Sequence, residues 1–288
     1  MNPQHVFETH RERLFALAYR LLGSRSDAED VLQDAWLRWQ GAAHADIRDP
    51  EAWLVAAATR LGLDRLRAAR SRREAYPGPW LPEPASIEAD GAPGPAERLQ
   101  LEQEVSIAFL WLLERLTPDE RAVFVLREAF DYDHARIAAL LGLREDHCRQ
   151  LAHRARARLR DGRPRFEVDA DAHRRLLARF MQAARDGDRD RIAALLHDDA
   201  RLVSDGGGQV AAAIRPLVGA ERIARLYWAV ARRADDRVWT LGRVNGEPAI
   251  LQLREGRVVT AMLATVVDGR IAQLLNVMNP DKLRAAAR

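Results

Sequence analysis

The 288-residue sequence predicts a multidomain protein: two all-α domains, the second built around a helix-turn-helix, followed by an α+β domain with a curved antiparallel sheet. Three observations predict it. The length is about twice that of a common domain, so separate cores are expected. Residues 74–103 carry six acidic side chains against the single Arg98 and are crowded with Pro and Gly, which marks a linker between domains at 1–73 and 104–165. Beyond residue 170, helical spacing gives way to short strand-like runs punctuated by Asn245-Gly246, Glu255-Gly256 and Asp268-Gly269, so 170–288 forms a third domain.

In the first domain, Phe7, Leu14, Phe15, Ala18, Leu21 and Leu22, then Ala28, Val31, Leu32, Ala35, Trp36 and Trp39, recur at helical spacing. Two helices broken at Gly23-Ser24 follow, the second capped by Ser26 or Asp27, with acidic residues at its positive end. Pro50 opens a third helix through Trp53, Leu54, Leu61 and Leu66. It ends in a basic run: residues 60–73 hold six arginines against one aspartate.

The segment 74–96 holds Pro77, Pro79, Pro82, Pro84, Pro93 and Pro95 and is expected to be extended. Trp80-Leu81-Pro82-Glu83-Pro84 plants an apolar anchor in a stretch that a flexible spacer would leave polar. That anchor is expected to dock.

Helical pattern resumes over 97–116, and Thr117-Pro118-Asp119-Glu120 combines an N-cap, a first-turn proline and acids, starting a helix to Glu128. His134 to Leu141, a Gly142-Leu143 turn and Glu145 to Arg160 make the helix-turn-helix. Residues 144–165 hold eight arginines against three acids, a second basic patch. In its second helix Cys148, Leu151, Ala152, Ala155 and Leu159 share one face, leaving His147, Arg149, Gln150, His153, Arg154 and Arg156 on the others. Arginine can pair with guanine, glutamine with adenine, and further arginines with phosphates, so this face suits DNA. A solvated basic helix in an ordinary bundle is the competing reading of that helix taken alone.

The third domain reads as helices over 173–186, 189–196 and 217–232 and strands over 200–204, 238–244, 249–253, 258–267 and 271–278. His197, Asp198, Asp199, Asp205 and Asp235 are its conceivable acid-base groups, although His197-Asp198-Asp199 reads better as a solvated turn. Asp205-Gly206-Gly207-Gly208 lacks the strand–loop–helix context and lysine of a phosphate loop and reads as a mobile interdomain contact. Asn279-Pro280 reads as a turn that brings Leu283 back onto the linker.

Composition narrows the function. Cys148 is the lone cysteine, excluding an internal disulfide and a multi-thiolate zinc site. No run approaches the roughly 20 apolar residues of a membrane span, and the polar opening segment is unlike a secretion signal, so a cytoplasmic protein is expected. The helical domains show no Gly-rich phosphate loop, metal constellation or nucleophile-base pair, which predicts no cofactor, no metal and no catalysis.

Read together, these motifs resemble a family. Asp27-Ala-Glu-Asp-Val-Leu-Gln-Asp-Ala-Trp36-Leu-Arg-Trp39 resembles region 2 of bacterial sigma factors, and the Thr117-Pro118 helix start with Arg149-Gln-Leu-Ala-His-Arg-Ala-Arg-Ala-Arg-Leu159 resembles region 4. A linker stands where housekeeping sigma factors carry region 3, as in the extracytoplasmic-function group. Trp80–Pro84, Asp205–Gly208 and Asn279-Pro280-Asp281-Lys282-Leu283 are similar to the motifs of the subgroup with a fused SnoaL-like cone-shaped barrel. Arg144, where Ser or Thr commonly caps the recognition helix, and Gln209, where lysine is frequent, depart from the pattern.

The resemblance implies a transcription initiation factor that binds core RNA polymerase, recognises the −35 and −10 promoter elements and promotes DNA opening. Asp30, Gln33, Asp34 and Trp36 would meet the polymerase, with core packing an equal claim on Trp36 and Trp39. Trp53, Arg60, Asp64, Arg65 and Arg67 lie on the helix that would face the −10 element. Trp80, Leu81, Pro82, Glu83 and Pro84 would be gripped by Asp205 to Gly208 and Asn279 to Leu283. SnoaL-like barrels include enzymes and silent pockets, so a small molecule in the barrel stays open, and a separate anti-sigma partner is neither required nor excluded. The alternative is a one-component DNA-binding regulator sensing such a molecule; the region-2-like helix at 27–39 argues against it, as it does against a SnoaL-like enzyme fused to a DNA-binding module.

Overall fold

A computed structural model describes residues 2–90, 105–160, 169–233 and 236–286. The chain divides into two compact units, residues 1–75 with 110–163 and residues 76–109 with 164–288. The expected boundaries at 103, 104 and 165, the start of the helix expected over 97–116, and Asp235 lie outside the described residues.

The first unit is helical. Helix α1 (Pro3–Leu22) ends at Gly23 in the left-handed conformation, and α2 (Arg25–Gln40) is capped by Ser24, whose hydroxyl accepts from the Asp27 amide. The cap is thus Ser24, ahead of Ser26 and Asp27, because the tight turn at Gly23 leaves Ser24 as the last extended residue. Asp49 caps α3 (Pro50–Glu74), and α4 (Ile107–Leu113) spans the division between the units. Helix α5 (Pro118–Glu128) starts at a reciprocal capping box between Thr117 and Glu120, of the kind worth about 1 kcal/mol. Helices α6 (His134–Leu141) and α7 (Glu145–Arg160) complete the helix-turn-helix within the expected bounds. The buried residues of α7 are Cys148, Leu151, Ala152, Ala155 and Leu159, the face the sequence pattern gives. Trp39 is core and donates to the Pro3 carbonyl, whereas Trp36 is half-buried beside Phe7.

The second unit packs α8 (Ala170–Asp186), α9 (Arg189–Leu195) and α10 (Ala220–Ala231) on one face of a seven-stranded sheet ordered β1-β4-β5-β6-β7-β2-β3. Its strands are β1 (Ile87–Ala89), β2 (Leu196–Asp205), β3 (Leu217–Val218), β4 (Val238–Val244), β5 (Glu247–Arg254), β6 (Arg257–Val267) and β7 (Arg270–Val277). Asn245-Gly246, Glu255-Gly256 and Asp268-Gly269 all take positive φ, the requirement of two-residue hairpins whose twist matches the strands. A short helix α11 (Pro280–Ala286) follows.

Five expectations change. The sheet is not wholly antiparallel, because β2 enters after two helices and pairs parallel with β7. Leu217 and Val218 pair with β2, so the helix expected from 217 starts at Ala220. His197, Asp198 and Asp199 lie in the irregular start of β2 rather than in a turn; the two aspartates remain exposed. Asn279-Pro280 opens a helix, the Asn279 side chain accepting from the Asp281 amide. The extended linker contributes β1, which joins the edge of β4.

That last pairing needs a glycine. A Cβ at Gly242 would stand 2.3 Å from the Glu88 carbonyl oxygen and 2.6 Å from Leu251 Cδ1. Gly242→Ala is expected to cost roughly 1–3 kcal/mol through this overpacking. Urea denaturation should register the loss, and protease cleavage within residues 76–90 should accelerate; unchanged cleavage would show that β1 is not held by this pairing.

Candidate DNA and polymerase surfaces and the docked linker

On α7, Arg149, Gln150, His153 and Arg154 are exposed and line a shallow concavity of about 360 Å³, while His147 is half-buried. Arg149 pairs with Glu145 one turn back, and Arg156 reaches Glu128 Oε1 through Nη2 at 2.6 Å. Both pairs are exposed and worth little, so either arginine can exchange its partner for a phosphate.

The cations of α3 are engaged within the first unit. Arg60 Nε donates to the Leu140 carbonyl at 3.3 Å, and Arg67 Nη2 meets Asp119 at 2.8 Å. Arg65 bridges Asp30 at 3.0 Å and Asp34 at 2.8 Å, and its pKa is raised chiefly by the bond to Asp34. A residue expected at DNA therefore shares its charge with two expected at the polymerase. Gln33 is exposed and Trp36 half-exposed beside them.

Sequence reading missed a further cluster. Glu114 bonds both Arg73 and Arg121; Arg73 Nη2 donates to the Leu22 carbonyl at 2.7 Å and Arg121 Nε to the Arg20 carbonyl at 3.0 Å. Burial alone would raise the Glu114 carboxyl, but the two guanidiniums outweigh it and hold it below the usual range. Burial also lowers the Arg73 pKa, with Arg121 repulsion adding to it. Arg121 is only 1% exposed, and its Nη2 has no hydrogen-bond partner among the described residues. Arg73 was legible only as part of a basic run.

In the second unit, strand alternation sends Asp205 to the sheet face opposite the helices, with Val203, Leu275 and Val277. It is wholly buried and accepts from Tyr76 Oη at 2.6 Å, the Leu81 amide at 2.8 Å and Lys282 Nζ at 2.6 Å. Lys282 also donates to the Leu81 carbonyl and lies 4.1 Å from the Trp80 ring centroid. Asn279 Nδ2 donates to Tyr76 Oη at 2.8 Å, and Gln209 Nε2 to Asp281 at 2.6 Å. Leu81, Pro82, Glu83 and Pro84 are buried, and so is Leu283.

Gly206 is buried, Gly207 at φ +63° abuts Asn279, and Gly208 at φ +70° abuts Pro77. At each of the three an added Cβ would press on a neighbour, so the glycines permit close approach. Farther along, Asn245 Oδ1 accepts from the Ala85 amide at 2.8 Å and the Ser86 amide at 3.2 Å, and its Nδ2 donates to the Val105 carbonyl at 2.9 Å. Tyr76 and Asn245 were missed as dock residues. The Asn-Gly pair signalled a turn, and nothing local told which chain its amide would hold.

The other face of the sheet packs against the helices. Tyr227 Oη accepts from Asn276 Nδ2 at 3.3 Å, while Thr260 Oγ1 and Asn276 Oδ1 have no hydrogen-bond partner among the described residues. Asp205 faces away from it, which removes that carboxylate as an acid-base group there. Among the described residues no group of three or more His, Cys, Asp or Glu is placed to hold a metal, and no helix is long and apolar enough to cross a membrane.

Comparison with known proteins agrees with this layout. Residues 6–72 match the model of sigma-70 region 2 and residues 107–159 that of sigma-70 region 4. The ECF RNA polymerase sigma factor SigJ of Mycobacterium tuberculosis is 38% identical over 96% of this chain and 91% of its own. The chain belongs to the extracytoplasmic-function sigma factors. The crystal structure of SigJ superposes with a TM-score of 0.77 at 34% identity, covering 97% of this chain and 98% of that one. The probable sigma factor SigI of the same organism is 32% identical over 97% of this chain and 95% of its own. This sigma factor therefore directs RNA polymerase to promoters and is not an enzyme, and its SigJ-like architecture carries an α+β domain at the C-terminal end.

Two outcomes test the dock. Lys282→Ala leaves the Asp205 carboxylate buried without its cation and is expected to cost about 3–5 kcal/mol. Denaturant unfolding of the full chain measures it, and Asp205→Asn with Lys282→Met should recover much of the loss. Separately, burial pushes the Glu247 carboxyl from 4.5 up to about 7. The unfolded chain ionises it first, so stability present below about 4.5 declines as pH rises through 7. Glu247→Gln should flatten that decline; an unchanged pH profile would dismiss Glu247 as its source.

Proposed function

We propose that this sigma factor binds core RNA polymerase through the α2 face bearing Asp30, Gln33, Asp34 and Trp36. It reads the −35 element with His147, Arg149, Gln150, His153, Arg154 and Arg156 of α7, and engages the −10 element with Arg60, Arg65 and Arg67 of α3. The C-terminal domain controls it by holding the linker. The single observation that carries this control is the burial of Asp205 against Tyr76, Leu81 and Lys282.

The argument is one of connectivity. The linker joins the two DNA-binding domains, and residues 76–90 together with Val105 are bonded to the C-terminal domain, so little chain is left to let those domains separate. In the first unit α3 packs against α5 and α6. The −10 and −35 elements lie roughly two turns of DNA apart, about 70 Å. Arg60 and Arg67, tied to Leu140 and Asp119, are the cations that must be released for α3 to reach DNA. The docked chain is therefore a closed form, and promoter engagement requires the linker to let go.

Transcription from a promoter library with purified core polymerase, comparing the full chain with residues 1–165, tests this reading. Promoter-specific initiation that differs between the two supports control by the fused domain; equal initiation removes it. Failure of both, although folded and able to bind DNA, would favour a one-component regulator. Arg154→Ala is expected to weaken binding to the −35 element by about 1–3 kcal/mol, read in gel-shift titrations. Trp80→Ala should change promoter output while circular dichroism of the DNA-binding domains stays constant.

A further inference from the structure

We propose that a cleft in the first unit, between α3 and the start of α5, binds a small phosphoryl anion. The cleft measures about 250 Å³ and is walled by Arg70 and Arg73 from one side and Glu114 and Arg121 from the other, with Leu66 and Pro118 as apolar flanks. Among the described residues its lining holds three guanidiniums against two carboxylates, those of Glu74 and Glu114.

The charge is unevenly satisfied. Glu114 bridges Arg73 and Arg121, and burial, with repulsion from Arg121 adding to it, depresses the Arg73 pKa. Arg121 is buried to 1% exposure with an Nη2 that meets no acceptor among the described residues. Arg70 is exposed at the mouth of the same cleft. Planar guanidinium forks converging from two helices suit an anion with several oxygens on one centre, which distinguishes a phosphoryl group from a single carboxylate.

The depth of Arg121 and the half-buried Arg73 exclude a duplex backbone, which cannot enter a cleft of this size. The occupant is a free small anion: inorganic phosphate, pyrophosphate, or the terminal phosphates of a nucleotide whose remainder projects from the open side. Because α3 and α5 belong to different DNA-binding domains, the site exists only while the two are packed together. An anion bound there favours that packed form over any form in which they separate. This consequence rests on the closed-form reading above; the binding does not.

Isothermal titration of the full chain with phosphate, pyrophosphate and a nucleoside diphosphate at fixed ionic strength tests the site. Saturable binding of at least one is expected, weakened about tenfold or more by Arg70→Ala, whose side chain is exposed and expendable for folding, and unaffected by Arg179→Ala on α8. The ligand that binds most tightly identifies the source of the phosphoryl group. Absence of saturable heat at millimolar ligand, or equal weakening by both substitutions, overturns the proposal. Gel-shift titration of promoter DNA with saturating anion then separates the two readings: reduced DNA affinity upholds both, and unchanged affinity keeps the site while removing the closed form.

Discussion

The buried pair of Asp205 and Lys282 is the constraint on which the arrangement of this sigma factor depends. A carboxylate at zero exposure is tolerated only with its charge matched and its lone pairs filled. Here the matching cation comes from the C-terminal helix, and the remaining donors come from the linker through Tyr76 and Leu81. Three segments distant in sequence are therefore needed to satisfy one side chain. Removing Lys282 leaves the buried carboxylate without its cation, and removing the linker takes away the Tyr76 and Leu81 donors, so docking of the linker and of the C-terminal helix meet at this side chain.

Around that pair the domain is shaped for close approach. Gly207 and Gly208 take left-handed φ where Asn279 and Pro77 leave no room for a Cβ, and Gly242 lets β1 lie against β4. Asn245 then fixes the distal part of the linker with three bonds from one amide. The sheet face used for this purpose lies opposite the helices. The docked linker and the helical layer thus occupy two sides of the same strands, set by period-two alternation along β2 and β7.

The first unit solves a different electrostatic problem. Basic residues that a sigma factor needs for promoter DNA repel one another in the absence of DNA. Asp30, Asp34, Asp119 and Glu114 supply internal counter-charge to Arg65, Arg67, Arg73 and Arg121. The exposed pairs are cheap to exchange, whereas the Glu114 cluster is buried and costly to break. Two of these acids, Asp30 and Asp34, lie on the α2 face proposed for the polymerase and both pair with Arg65 of α3.

Much of this was legible in sequence because it is governed by local rules. Helix periodicity, the Thr117 capping box, the three two-residue turns and the buried face of α7 each depend on residues within a few positions of one another, and they appear in the structure with nearly the expected bounds. The grip of the C-terminal domain on Trp80–Pro84 was legible as motifs without geometry. Local signals do not tell that β2 runs parallel to β7, that the linker adds a strand at β4, or that Ser24 rather than Ser26 caps α2. Nor do they tell that Arg73 and Arg121 share Glu114. By itself the sequence determined the elements, their order and the family to which the chain belongs. Tertiary structure alone decided which charges meet, because a buried ion pair is specified by the folding of segments far apart in sequence, as with Asp205 and Lys282, 77 positions apart.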